Sequence, residues 1–179
     1  MTSEPIPSPS TTLNNAHSVL LIFDAESVLA RYPTPSLDAT KPTTISDGLV
    51  FFATGNTSKE IAINDSNVTL PVVIGRDIHF RGRSVSLIAE HSVVIYDMTV
   101  AADSVLSAPQ LQVRPGLTVP APNPEHPTTP ASGKADDHFW ACTTKAFGIA
   151  SCELSFILVN QQCEAQGYFR WEVEIEIKA

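Results

Sequence analysis

The end of the chain shows the clearest alternation of apolar and polar side chains. Between Phe169 and Lys178 the odd-numbered positions are apolar and the even-numbered positions are charged, as in FRWEVEIEIK. Side chains two residues apart share one face of a β-strand, so the apolar set can face a core while the charged set faces water. The pattern therefore predicts a half-buried strand over residues 167–178.

Shorter apolar runs, rich in Val, Ile, Phe and Thr, recur between turn-forming residues along most of the chain, as is typical of hairpins and meanders. The first run is SVLLIF at 18–23. It is followed by GLVFFAT, KEIAI, VTLPVVI, DIHFRGR, SVSLIAE, SVVIYDMTV, DHFWACTT and SCELSFILVN. About eight such strands favour two packed sheets. We therefore predict an all-β fold, an antiparallel β-sandwich of immunoglobulin-like or jelly-roll-like type.

One short helix is predicted directly after the first strand. In AESVLARY, Val28, Leu29 and Tyr32 fall at helical spacing. Asp24 stands just before this segment, where a carboxylate can accept hydrogen bonds from the free N–H groups of a first helical turn. Asp24 is therefore predicted to cap the helix, and the prolines after Tyr32 are predicted to end it.

Two segments differ in composition from these strands. Residues 1–16 hold three prolines among Ser, Thr and Asn without apolar periodicity, which predicts a disordered tail before a single folded domain at 17–179. Residues 109–130 carry seven of the fourteen prolines, and proline disfavours both helices and central strands. We predict a long irregular Pro-rich loop at about 109–137, which is a candidate contact surface.

Charge and composition disfavour several kinds of partner. The net charge is −8 and the 11 Lys and Arg residues are scattered, so nucleic acid is not an expected partner. No stretch approaches the roughly 20 apolar residues of a membrane helix, and the N-terminus does not resemble a signal peptide. The expected location is the cytoplasm, without a membrane partner. The three cysteines lack CxxC spacing and are expected to be reduced thiols, mostly buried.

No sequence motif indicates catalysis, a cofactor or a metal. The histidines are dispersed, and the sequence holds no GxSxG elbow and no glycine-rich phosphate loop, so no cofactor is expected. Asp136, Asp137 and His138 are metal-ligating residue types. Consecutive side chains on an extended segment point to alternate faces, so these three are not expected to form a metal site.

A small-ligand site is the alternative to a purely structural role. If the two sheets splay at one end, a pocket lined by aromatic side chains and one or two acids can form between them. The candidate ligand-binding residues are Asp24, Glu26, Tyr32, Trp140 and Trp171, although strand aromatics are more often part of the core. Such a site would bind a small apolar metabolite, and any enzyme built on it would be a cofactor-independent isomerase or cyclase.

The order of several features is similar to that of a known family. VLLIFDAESVLARYPTPSLDATKPTTI (19–45) combines an apolar strand, Asp24, Glu26, an apolar pair, Tyr-Pro, Pro-Ser, and then Pro42 and Ile45. Together with IGRDIHFRGRSVS, VVIYDM and the final GYFRWEVEIEI, this segment resembles the bacterial inclusion body protein family typified by PixA and AidA. The resemblance covers about residues 18–179, and the N-terminal motif is its most specific part.

This resemblance implies a β-sandwich that accumulates in the cytoplasm and associates with itself into inclusions. It implies no catalytic residue, because the family offers none to transfer to this sequence. From the strand pattern, the resemblance and the missing catalytic motif, we expect a non-enzymatic, self-associating protein that forms homo-oligomers.

Overall fold

A computed structural model describes residues 16–45, 48–54, 63–64, 67–86, 90–101 and 104–179. The elements within these residues are β1 (His17–Phe23), α1 (Ala25–Arg31), β2 (Thr43–Thr44), β3 (Val50–Thr54), β4 (Ile63–Asn64), β5 (Asn67–Pro71), β6 (Asp77–Ser84), β7 (Ser92–Val100), β8 (Gln110–Ala121), β9 (Ala131–Thr143), β10 (Gly148–Val159) and β11 (Ala165–Lys178). The predicted tail, residues 1–16, lies outside the described residues apart from Ala16.

The strands form two sheets that pack face to face. One sheet has the order β3-β1-β6-β9-β8, and the other has the order β4-β5-β11-β10-β7 with β2 also paired to β11. The prediction of an all-β sandwich with one short helix after the first strand is confirmed. The first apolar run, β1, is a central strand, as its nearly continuous hydrophobicity indicates.

The sheets are mixed rather than purely antiparallel, which corrects that part of the prediction. β1 runs parallel to β6, and β11 runs parallel to both β2 and β5. Parallel neighbours need a crossover connection. Between β1 and β6 the chain supplies β2, β4 and β5 to the opposite sheet. Turn signals report only on strands that follow one another, so they cannot reveal these pairs.

The predicted Pro-rich loop at 109–137 is wrong, because most of this segment forms the hairpin of β8 and β9. β8 is an edge strand, where proline is tolerated because one row of N–H groups needs no partner. Pro115 and Gly116 lie at a register shift between Arg114 and Leu117, and Gly116 has a positive φ of 65°. The irregular connection is confined to residues 122–130.

The core lies between the two sheets and is rich in aromatic side chains. The rings of Phe23 and Phe156 have centroids 4.5 Å apart, and Phe156 stacks on Phe169 at 5.4 Å. The alternation near the C-terminus is confirmed, since all of its apolar side chains are buried. These are Phe169, Trp171, Val173, Ile175 and Ile177.

Candidate functional site

Asp24 caps the helix that follows β1. Its Oδ1 accepts a hydrogen bond from the backbone N–H of Ser27 at 3.1 Å, and its Oδ2 accepts one from Ser27 Oγ at 2.7 Å. The backbone N–H of Asp24 donates to Leu49 O at 3.0 Å. Both carboxylate oxygens therefore contact the first turn of α1, and the predicted capping role is confirmed.

Glu26 lies in the first turn of α1, two residues after Asp24, and contacts the chain just before β7. Its Oε1 is 2.7 Å from Nδ1 of His91 and accepts a 3.3 Å hydrogen bond from Ser86 Oγ. Asp24 and Glu26 thus have different partners, although they are two residues apart.

The three aromatic candidates lie at separate places in the core and at its margin. Trp171 is buried, with its ring centroid 5.5 Å from that of Phe52. Tyr32 is partly buried and meets Phe169 edge-on at 6.4 Å. Trp140 is partly buried and its Nε1–H donates to Ile95 O at 3.1 Å. The structure does not bring these residues together with Asp24 and Glu26 in one pocket. Ligand binding by these five residues stays a prediction.

A polar cleft lies on the outer face of the five-stranded sheet, where β6, β9 and β8 are neighbours. It has a volume of about 480 Å³. Its lining comes mainly from the outward-facing residues of these three strands and from the segment that precedes β8, and Cys142, a core residue of β9, borders it from below. The lining residues are Asp77, His79, Ser107, Ala108, Gln110, Gln112, Arg114, Phe139, Ala141, Cys142 and Thr143.

The floor of this cleft is Phe139, a buried phenylalanine on the solvent side of the sheet. Its ring centroid is 4.2 Å from that of His79, and the guanidinium carbons of Arg81 and Arg114 lie 4.6 and 5.0 Å from it. Phe139 is only 2% exposed. Cations are attracted to the face of an aromatic ring, so two guanidinium groups and an imidazole cover a side chain that would otherwise face water.

The two arginines over Phe139 differ in whether their guanidinium groups have a partner. Arg81 donates from Nε and Nη2 to the two carboxylate oxygens of Asp137, both at 2.8 Å. These hydrogen bonds hold the pKa of Asp137 below its ordinary value. Among the described residues, Arg114 has no hydrogen-bond or ion-pair partner. The cleft therefore contains one guanidinium whose donors are available to a ligand.

The surroundings of His79, in the cleft, and of Cys142, in the core below it, favour their neutral forms. Partial burial, and then the positive charges of Arg81 and Arg114, lower the pKa of His79. Burial raises the pKa of Cys142 to about 12, and that of Cys152 also to about 12. A neutral thiol is a poor nucleophile, and Cys142 belongs to the hydrophobic core between the sheets, where it is paired with the buried Ile78 of β6. Cys142 therefore contributes packing rather than reactivity. Cys163, the third free cysteine, is exposed.

The cleft could not be predicted from the sequence, for one identifiable reason. The alternation in DIHFRGRS places His79 and Arg81 on one face of a strand, so the contribution of β6 could be predicted from the pattern. Arg114 and Gln112 come from β8, a segment that the prolines predicted to be a loop. The register of β8 with β9, which places Gln112 opposite Phe139, exists only in the folded chain.

The fold and the cleft define a class of protein: a β-sandwich of two mixed sheets that extends one edge as a hairpin. Residues 15–177 match the family model of PixA, described as inclusion body protein. The chain belongs to this inclusion body protein family, which confirms the resemblance noted in the sequence. No curated protein matches the chain in sequence.

Two solved structures were compared with the fold. The crystal structure of an inclusion body protein (PixA) from Burkholderia cenocepacia J2315 aligns with a TM-score of 0.75 and 18% identity, covering 96% of this chain and 100% of that chain. The solution structure of amebosin aligns with a TM-score of 0.25 and 10% identity over 63% of this chain and 90% of that chain. The first match shows a shared fold, and the second carries no argument. Over the described residues, no helix has the length and hydrophobicity of a membrane span.

Proposed function

We propose that this protein is a non-enzymatic, self-associating β-sandwich of the cytoplasm, and that its copies join through the hairpin of β8 and β9. One observation carries the proposal: only a small part of this hairpin packs on the rest of the molecule. β9 pairs with β6 only between Trp140 and Thr143. From Ala131 to Phe139 its one strand partner among the described residues is β8, which is itself the edge of the sheet.

Such a hairpin gains stability from a further surface. Two antiparallel strands alone are marginally stable in water, and a third strand or a packed face is needed for independent stability. A second copy of the chain can supply either one. The described residues of a single copy supply neither to the outer half of the hairpin.

Exposed apolar side chains on β8 mark where a second copy would pack. Leu111, Val113 and Leu117 are 48%, 57% and 41% exposed. Leu111 and Val113 are paired with Trp140 and His138, on the side of the sheet that faces the core. The opposite sheet ends at β7, so β8 overhangs it and the two side chains remain uncovered.

The second copy is favoured over another partner for two reasons. An apolar patch can cover the same patch of a two-fold related copy, as in most homodimers. The family is described as inclusion body proteins, and an inclusion body gathers many copies of one protein. The prolines and the register shift in β8 limit continuous main-chain pairing along this edge, so the proposed contact is mainly between side chains.

Light scattering or sedimentation of the purified chain over a range of concentrations tests the proposal. We expect oligomers whose mass increases with concentration. A strict monomer at the highest concentration reached would overturn it.

A second candidate function, the binding of a small polar anion, is favoured by the cleft over Phe139. Its volume of about 480 Å³ falls within the range of small-molecule sites, roughly 300–1,000 Å³. Arg114 offers unpaired donors, and the amides of Gln110 and Gln112 lie beside it in the lining. An arginine fork matches a carboxylate or phosphate group, so the ligand would be anionic rather than the apolar metabolite expected from the sequence.

Titration with citrate and with inorganic phosphate, followed by amide NMR shifts, tests this second candidate. We expect shifts at Gln110 and Gln112 that saturate and that disappear in Arg114→Gln. Arg31→Gln, which removes an exposed arginine on α1, serves as the matched control. Absent shifts, or equal losses in both variants, would contradict an anion site in this cleft.

A further inference from the structure

We propose that Glu26, Glu90 and His91 form a binding site for a divalent metal ion of the Zn²⁺ type. Each residue offers one ligand atom, and these three atoms lie within 4.8 Å of one another. In the sequence, Asp136, Asp137 and His138 were the candidates for such a role. In the structure Asp136 accepts a hydrogen bond from Gly116 N and Asp137 binds Arg81, so those two carboxylates have different partners.

The ligand types suit a borderline divalent ion. One imidazole nitrogen and two carboxylate oxygens are ordinary zinc ligands, and three protein ligands leave a fourth position for water. His91 Nδ1 and Glu26 Oε1 are already 2.7 Å apart. A small separation of these two atoms would open the space that an ion needs between them.

The backbone on both sides of the cluster is anchored. Glu26 is in the first turn of α1, which is fixed by the Asp24 cap and by the buried Ala25. The carbonyl oxygen of His91 accepts hydrogen bonds from Ser84 Oγ at 2.5 Å and from Ser86 Oγ at 3.3 Å. Ligands held by their surroundings lose little freedom when a metal binds.

The third residue is what distinguishes this cluster from an ordinary ion pair. The contact between Glu26 and His91 alone would be one more exposed pair of small energetic worth. Glu90 adds a second carboxylate to the same space, and two carboxylates that share a site repel each other. A divalent cation, with two positive charges, compensates both carboxylates.

The chain contains a matched control for this proposal. The dipeptide Glu-His occurs twice, at Glu90-His91 and at Glu125-His126. The second pair is exposed, and among the described residues it belongs to no group of three potential ligands. If Glu-His alone sufficed for binding, both pairs would bind the ion equally.

Isothermal titration calorimetry of the full chain with Zn²⁺ tests the site. We expect one ion per chain and a shift of the His91 imidazole resonances. Loss of even an outer-shell partner costs about 10- to 100-fold in metal affinity, so His91→Ala and Glu26→Gln should each weaken binding at least about tenfold. His126→Ala should leave the affinity unchanged.

Several outcomes would overturn the proposal. These are the absence of Zn²⁺ binding, weak binding to many sites, or equal loss of affinity in His91→Ala and His126→Ala. Glu90→Gln changes an exposed side chain and therefore tests the site in a chain whose fold is undisturbed. Unchanged affinity in this variant would contradict a role for the second carboxylate.

Discussion

The indole Nε1–H of Trp140 donates a hydrogen bond to the carbonyl oxygen of Ile95 at 3.1 Å. Trp140 is on β9 and Ile95 is on β7, so this bond joins the last paired part of one sheet to the edge of the other. It lies where the β8 and β9 hairpin leaves the sandwich. The Trp140 side chain thus links the base of the β8 and β9 hairpin to the opposite sheet.

Replacing Trp140 with Phe should lower the free energy of unfolding by about 1 kcal/mol, the typical net worth of one hydrogen bond. The Ile95 carbonyl would lose its donor while the aromatic packing is largely kept. Urea denaturation of the two proteins measures the difference. Equal stability would show that water replaces the indole at this position.

Val113→Glu should reduce self-association. It places a charge in the exposed patch on β8, and a second copy could cover that charge only by desolvating it. Val73→Glu is the matched control, since Val73 is 64% exposed and Val113 is 57% exposed. Sedimentation at equal concentration should show smaller oligomers for Val113→Glu alone. If Val73→Glu has the same effect, the added charge and not its place is responsible.

Gly167→Ala should destabilise the fold by about 1–3 kcal/mol, the usual cost of inserting a methyl group into a packed site. A Cβ at this position would lie 2.6 Å from Cγ of Pro35 and 2.8 Å from Cε2 of Phe169, and neither ring can move away freely. Thermal or urea unfolding measures the loss.

Gly133→Ala is the control for this substitution. A Cβ at Gly133 would meet its nearest atom, Cγ2 of Val119, at an ordinary 3.8 Å. We expect little change in its stability. A similar loss in both variants would indicate a general intolerance of strands to alanine rather than a clash with Pro35.

The pair of Arg81 and Asp137 should make stability depend on pH in acid. The hydrogen bonds from Arg81 lower the pKa of folded Asp137 from its ordinary 3.8. A carboxyl with a lowered folded pKa contributes stability that is present above its unfolded pKa and is lost as pH falls through the folded value. Wild type should therefore exceed Asp137→Asn in stability at pH 7, and the excess should shrink below about pH 4.

Urea denaturation at pH 7, 4 and 3 measures this excess. In the background of Arg81→Gln, Asp137→Asn should have a much smaller effect, because the donor that lowers the pKa is gone. An excess that is constant with pH would contradict the assignment.

Local features of the sequence were sufficient for several correct predictions. The Asp24 cap depends on a carboxylate one position before a helical turn, and the buried face of the last strand depends on alternation within twelve residues. The prolines at 109–130 led to the wrong prediction of a loop, because the effect of a proline depends on whether its strand is central or at the edge of the sheet. In a central strand Pro115 would remove a needed donor, whereas at the edge it removes none that is used.

The candidate sites depend on contacts between distant parts of the chain. Glu26 and His91 are 65 residues apart, and Arg81 and Asp137 are 56 apart. Nothing in the residues around Glu26 indicates a histidine at 2.7 Å. The cleft over Phe139 likewise needs β6, β9 and β8 to be neighbours in one sheet.

The sequence by itself determined that the chain is a β-sandwich, which face of each well-patterned strand is buried, and where its helix begins. These properties follow from side chains within a few residues of each other, because the two-residue repeat of a strand and the free N–H groups of a helix start are local. Only the tertiary structure decided which strands run parallel, that β8 is an edge, and which charged groups meet. Those outcomes depend on the order in which all strands share two sheets, and no single segment encodes that order.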